Sequence, residues 1–123
     1  MRLMILRNQV KKLIEDEHIT EVAIEDIQLQ ANVINNVETY RTLAEVRGVL
    51  EELFQEMNIP YSIVLAGTWK SKLGIRGARR ADQKRAAQEY IVNKYNIKPI
   101  QDICDAICIG DYIIQNTGFD WTE

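Results

Sequence analysis

Apolar residues at Leu3, Leu6, Val10, Leu13 and Ile14 recur every three or four positions, the spacing of one helix face. They predict a helix over residues 2–17 that closes in the acidic run Glu15-Asp16-Glu17, before His18. Residues 20–25, Thr20-Glu21-Val22-Ala23-Ile24-Glu25, are short, β-branched and apolar, the pattern of a central strand with Glu25 near its C-terminal end. The polar, Asn- and Gln-rich run from Gln28 to Asn36 predicts a loop, and Asn36 suits the cap of a helix from Val37 to Met57. Tyr40, Leu43, Ala44, Leu50, Leu53, Phe54 and Met57 form the stripe that this helix should bury. Gly48 interrupts it at about 1 kcal/mol relative to Ala, which predicts a close helix or sheet contact at that point. Pro60 opens a second strand, Tyr61 to Ala66. Residues 67–80 read as a basic loop, residues 81–95 as a helix, and Pro99 separates that helix from a last one over residues 100–116. Residues 117–123 read as a loosely held tail.

The order helix, strand, helix, strand, helix, helix predicts an α/β fold with parallel strands joined by a right-handed crossover. Two strands make too small a sheet to cover several amphipathic helices. The pattern therefore expects further strands, from an N-terminal segment or from a partner. At 123 residues the chain fits one domain spanning 1–123, with about two-thirds of its unfolded surface buried. No run of eighteen apolar residues exists, and the opening Met1-Arg2-Leu3 is charged too soon for a signal peptide. Cys104 and Cys108 fall on one helical face, as buried thiols of a reducing, cytoplasmic setting rather than a bridge. His18 reads as a surface residue at a helix end.

Charge changes the picture more than composition does. Residues 1–66 carry 6 Lys/Arg and 11 Asp/Glu, net −5; residues 67–98 carry 9 and 2, net +7; residues 99–123 carry none and 5, net −5. A basic block inside an acidic chain suits a face for a polyanion, although a solvated basic helix has the same composition. Lys70, Lys72, Arg76, Arg79, Arg80 and Lys84 are the candidates to hold the phosphates of a nucleic acid. Trp69 is either a stacking surface for a base or a buried anchor beneath them.

Asp102 and Asp105 lie one helical turn apart at the start of the last helix. Asp is favoured there by capping and by the helix dipole. Two like charges on one face also suit a divalent cation. Glu25 ends a buried strand, where functional groups gather in α/β sheets. Glu25, Asp102 and Asp105 together supply hard oxygen ligands for Mg²⁺ or Mn²⁺, and two such ions about 4 Å apart are a means of phosphodiester hydrolysis. Asp111 reads as a surface acid.

Four segments in order resemble one family, the RuvC-type Holliday junction resolvases in their phage and prophage forms. Val22-Ala23-Ile24-Glu25-Asp26 resembles the strand ending in the family's second catalytic acid, and Val46-Arg47-Gly48-Val49 the Arg-Gly step of the next helix. Trp69-Lys70-Ser71-Lys72-Leu73-Gly74, with Arg80 and Gln83-Lys84, resembles the DNA-facing basic loop and helix start. Asp102-Ile103-Cys104-Asp105-Ala106, with Ile109-Gly110, resembles the final acidic helix. The resemblance implies an RNase H-like (RuvC-type) fold and a Mg²⁺-dependent endonuclease, a homodimer that cuts two strands of a four-way DNA junction. It implies that Glu25, Asp102 and Asp105 are catalytic metal-binding acids, and that Lys70 is a catalytic base contacting phosphate or stabilising the transition state. The chain departs from the family at its start. The family's first three strands, with the first catalytic Asp, have no counterpart, because no aspartate precedes Asp16. The aromatic residue after the strand-end acid is also missing, since Asp26-Ile27-Gln28 stands there. This leaves a truncated prophage gene, a mis-assigned start, or strands supplied by another chain. An exposed apolar strand edge at Val22 to Ile24 then predicts dimerisation. The rival functions are a non-catalytic DNA-binding or oligomerising remnant and an RNase H-like nuclease acting on RNA–DNA hybrids.

Overall fold

The structure, a computed structural model, describes residues 2–27 and 36–117. In chain order they form α1 (Arg2–Asp16), β1 (Val22–Glu25), α2 (Asn36–Glu56), β2 (Tyr61–Val64), α3 (Ala66–Leu73), α4 (Arg80–Tyr95) and α5 (Gln101–Thr117). The fold is mixed α/β and mostly helical, with β1 and β2 as two parallel neighbours in one sheet. The predicted loop over 28–35 and the tail beyond 117 lie outside the described residues. No described helix is long and apolar enough to cross a membrane.

Three helices end in one way. His18, Asn58 and Gly74 adopt the left-handed conformation just past α1, α2 and α3, with φ of 53, 56 and 74°. The amide of the next residue then reaches back five positions: Ile19 to Ile14 O at 3.0 Å, Ile59 to Phe54 O at 2.9 Å, and Ile75 to Lys70 O at 2.8 Å. Asn, Gly and His tolerate that backbone, and the following isoleucine folds onto the helix it has left. His18 is thus a helix terminator, and it is exposed.

The chain divides into two compact units, Met1–Ile63 and Val64–Glu123. In the first, α1 packs on α2 around buried Ile14, Leu53 and Phe54, with Val10, Ile19, Val22, Ile24, Leu50 and Ile59 closing the cluster. The Phe54 and Tyr61 rings meet at 5.6 Å, tilted by 49°. Arg7 pairs with Glu56 across the two helices.

The buried stripe of α2 is shorter than its sequence predicts. Tyr40, Leu43 and Ala44 are exposed. A 21-residue helix is about 31 Å long, whereas a four-residue strand covers about 13 Å. Among the described residues, the sheet and α1 therefore cover only the second half of α2. Gly48 also lacks the close contact expected of it: a Cβ there would meet nothing within 4 Å.

In the second unit α5 packs against both α3 and α4. Trp69, Ile75, Ala87, Ile91, Cys104, Cys108 and Ile109 are buried there. Residues 66–73 are helix, not the predicted loop, and β2 stops at Val64. Trp69 and Leu73 stand one turn apart, so the segment can drive Trp69 into the core while Lys72 stays outside. Asp111, predicted to lie on the surface, is 4% exposed. It follows Cys104 and Cys108 by seven and three residues and shares their inward face.

Candidate nucleic-acid interface and carboxylate pair

The basic residues of the second unit fall on two helices and the loop between them. Lys70, on α3, is half-buried; its Nζ donates to Gln83 Oε1 at 3.3 Å and stands 5.5 Å from the centre of the Trp69 ring. Lys72 on α3, Arg76 in the loop, Arg79 just before α4, and Arg80 and Lys84 on α4 are exposed. Asp82 lies 3.7 Å from Arg79 and 3.9 Å from Arg85. Among the described residues, Lys70, Lys72, Arg76, Arg80 and Lys84 pair with no carboxylate. Trp69 is wholly buried, so as packed it is the anchor of α3 and offers no ring face to a base.

An open cleft of about 410 Å³ lies between α3 and the start of α4, lined by Lys70, Ser71, Ile75, Arg76, Gly77 and Gln83. Gln83 fixes its width. The Gln83 amide donates from Nε2 to Gly77 O at 3.1 Å and accepts from Lys70 at Oε1. Gly77 is pressed onto the first turn of α4, where a Cβ would stand 2.6 Å from Asp82 Cβ and 2.9 Å from Gln83 N. Any other residue would push the loop away.

Asp102 is exposed in the first turn of α5, and Asp105 is half-buried one turn on. Asp105 accepts from Gln101 Nε2 at 2.8 Å. The other end of that amide, Gln101 Oε1, is enclosed and meets no hydrogen-bond donor among the described residues. Asp102 and Asp105 offer hard carboxylate oxygens of the kind a divalent cation takes, and the enclosed Gln101 Oε1 lies in the same amide that holds Asp105. Behind the pair, burial raises the pKa of both thiols, that of Cys108 to about 12, and Asp105 adds to the rise. Both cysteines are free and buried, which makes them inert core residues.

Glu25 is the last residue of β1 and is exposed. It borders a hollow of about 270 Å³ walled by Ile24, Leu43, Val46 and Leu50, with Asp26 paired to Arg47 at its rim. Arg47 also reaches Glu51 at 3.3 Å. Glu25 belongs to the first unit, and Asp102, Asp105 and the basic block belong to the second. Among the described residues, no three His, Cys, Asp or Glu side chains are grouped so as to hold a metal between them.

Three residues have roles that the sequence does not show. Gln83 enters the sequence pattern only within Gln83-Lys84 at a helix start, and Gln101 is uncharged and signalled by nothing but position. Asp111 anchors a polar network: Lys94 Nζ donates to Oδ2 at 2.9 Å, Tyr90 Oη to Oδ2 at 3.1 Å, and Tyr95 Oη to Oδ1. Lys94 stands 5.6 Å from each tyrosine ring centre. The bond to Asp111 raises the lysine pKa. Burial first, and then the Asp111 carboxylate, raise that of Tyr90 and lift that of Tyr95 to about 12.

No protein-family model matches the chain, and a search of curated proteins finds none that matches it.

Proposed function

We propose that the chain is a RuvC-type endonuclease of RNase H-like fold, cytoplasmic and homodimeric, that cleaves four-way DNA junctions with Mg²⁺ or Mn²⁺. The observation that carries this reading lies within one unit. α5 bears Asp102 and Asp105 near its start, and it packs directly on α3 and α4, which carry the unpaired basic residues. Acids for a cation and bases for a phosphate backbone thus share one small scaffold. In this reading Asp102 and Asp105 hold the cation, with Gln101 orienting Asp105. A bound divalent cation supplies Lewis acidity and lowers the pKa of water. Lys70 places a positive charge where negative charge gathers on the scissile phosphate. Arg76 lines the same cleft as Lys70, and Lys72, Arg79, Arg80 and Lys84 hold flanking phosphates.

A second reading is a DNA-binding protein without cleavage, because the basic residues of α3 and α4 form a complete surface that needs no acid. One experiment separates the two. A labelled four-way junction, a linear duplex and an RNA–DNA hybrid are incubated with the protein and Mg²⁺ or Mn²⁺. The nuclease reading expects paired cuts on opposing strands of the junction, the product of a dimer. It expects Asp102→Asn and Asp105→Asn to reduce cutting by roughly a hundredfold or more while binding stays within twofold. Salt-dependent binding with no cutting of any substrate leaves only the second reading; preferred cutting of the hybrid moves the activity to RNA–DNA.

A further inference from the structure

We infer that the cleft between α3 and α4 is a pocket for one phosphoryl group, with Lys70 and Arg76 as its cationic walls and the Ser71 hydroxyl as its neutral donor. The setting of Lys70, half-buried against uncharged partners, carries this. Asp82 partly neutralises Arg79 and Arg85. The cleft itself contains no carboxylate. Lys70 is held there by a neutral acceptor, Gln83 Oε1, and Gln83 is held in turn by the Gly77 carbonyl. A lysine has three donors, so its ammonium keeps capacity for a ligand. Half-burial beside Ile75, itself 5% exposed, removes part of the water that would otherwise solvate the charge. Such a charge attracts an anion more strongly than one on the open surface.

The cleft falls within the roughly 300–1,000 Å³ of small-ligand sites. It offers the polar side chains of Lys70, Ser71, Arg76 and Gln83 against one apolar wall at Ile75, a lining that can take an oxyanion. Gly77 keeps that lining in place, because the loop carrying Arg76 can approach α4 only without a side chain at that point. The Arg76 guanidinium can grip two oxygens of one phosphate, and Lys70 a third. As a seat for a nucleic-acid strand the pocket rests on the nuclease reading; as a seat for a phosphoryl group it stands on its own lining.

The test is a titration of the full-length, ¹⁵N-labelled protein at constant ionic strength. Three probes are used: inorganic phosphate, thymidine 5′-monophosphate and the dinucleotide TpT, which carries only a phosphodiester. Saturable shifts are expected at the amides of Lys70, Ser71, Arg76 and Gly77. Lys70→Met should weaken binding by roughly tenfold or more, the loss of one charge-assisted hydrogen bond. Arg76→Gln, in an exposed loop, should weaken it severalfold and serves if the Lys70 variant does not fold. Lys98→Gln makes the same change of charge elsewhere in the unit and should leave affinity within twofold. Saturation by TpT identifies a strand phosphate as occupant; saturation by the other two probes alone identifies a terminal or free phosphate. Unsaturable shifts in all three titrations, or equal weakening by Lys98→Gln, would overturn the pocket. Phosphate binding without junction cutting removes the nuclease and leaves the pocket; cutting without phosphate binding does the reverse.

Discussion

Asp111 shows what a single residue can hide. A buried carboxylate needs its charge answered, and here one ammonium and two phenols answer it. All three donors come from the last turns of α4, so the network fastens α4 to α5. Asp111→Ala should cost about 2–3 kcal/mol: the lost bonds are charge-assisted, while Lys94 is free to turn into water. Asp102→Ala, on the exposed face of the same helix, should stay within about 0.5 kcal/mol. Urea unfolding followed by circular dichroism measures both, and equal midpoints would refute the clamp. The position of Asp111 was legible, since Cys104, Cys108 and Asp111 share one face at spacings of four and three. Its burial was not, because charge alone argues for solvent and the partners lie sixteen to twenty-one residues upstream. Gln101 and Gln83 illustrate the opposite difficulty: a neutral amide acquires a role only from its neighbours.

At the level of elements, periodicity located six of the seven, and the exception is informative. α3 was hidden by composition. Gly67 and two lysines in eight residues resemble a basic loop, whereas Trp69, Leu73 and Gly74 form a short apolar seam with a left-handed terminator behind it. The seam was present in the sequence, but eight residues contain only two of its contacts. α2 errs in the other direction. Its apolar positions continue through Tyr40 and Leu43, which are exposed. Periodicity reports which face is apolar and not how much of it is covered. Gly48 belongs to this element, and neither packing nor a positive φ requires it. Gly48→Ala should therefore stabilise the first unit by about 0.5–1 kcal/mol through helix propensity alone. A lowered urea midpoint would mean that Gly48 serves a contact made only with a partner or with DNA, and the junction-binding assay would then show the loss.

For the whole molecule, the charge profile follows the division into two units. The basic block of residues 67–98 falls entirely within the second unit, with the acids of α5 beside it. That unit also has the groups whose proton affinity folding increases. Burial and Asp105 raise Cys104 and Cys108, burial and Asp111 raise Tyr90 and Tyr95, and the bond to Asp111 raises Lys94. In each case the folded state holds the proton more tightly than the unfolded state. Their contribution is complete below the unfolded-state values, about 8.5 for thiols, 10 for phenols and 10.4 for lysine, and declines as pH rises past them. The second unit should therefore lose stability from roughly pH 8.5 upward, and faster beyond roughly pH 10. Trp69 is buried in that unit and reports on it when Trp121 is replaced by Phe. Under reducing conditions, the urea midpoint read by Trp69 fluorescence should fall between pH 7.5 and pH 10.5. Asp111→Ala should shrink the fall, since it removes the carboxylate that helps raise both tyrosines and the lysine, and should leave the thiol part. A flat midpoint over that range would show that these protons are held no more tightly in the folded chain. An undiminished fall in Asp111→Ala would place the alkaline sensitivity in groups raised by burial, the two thiols and the two phenols, rather than in the bonds to Asp111.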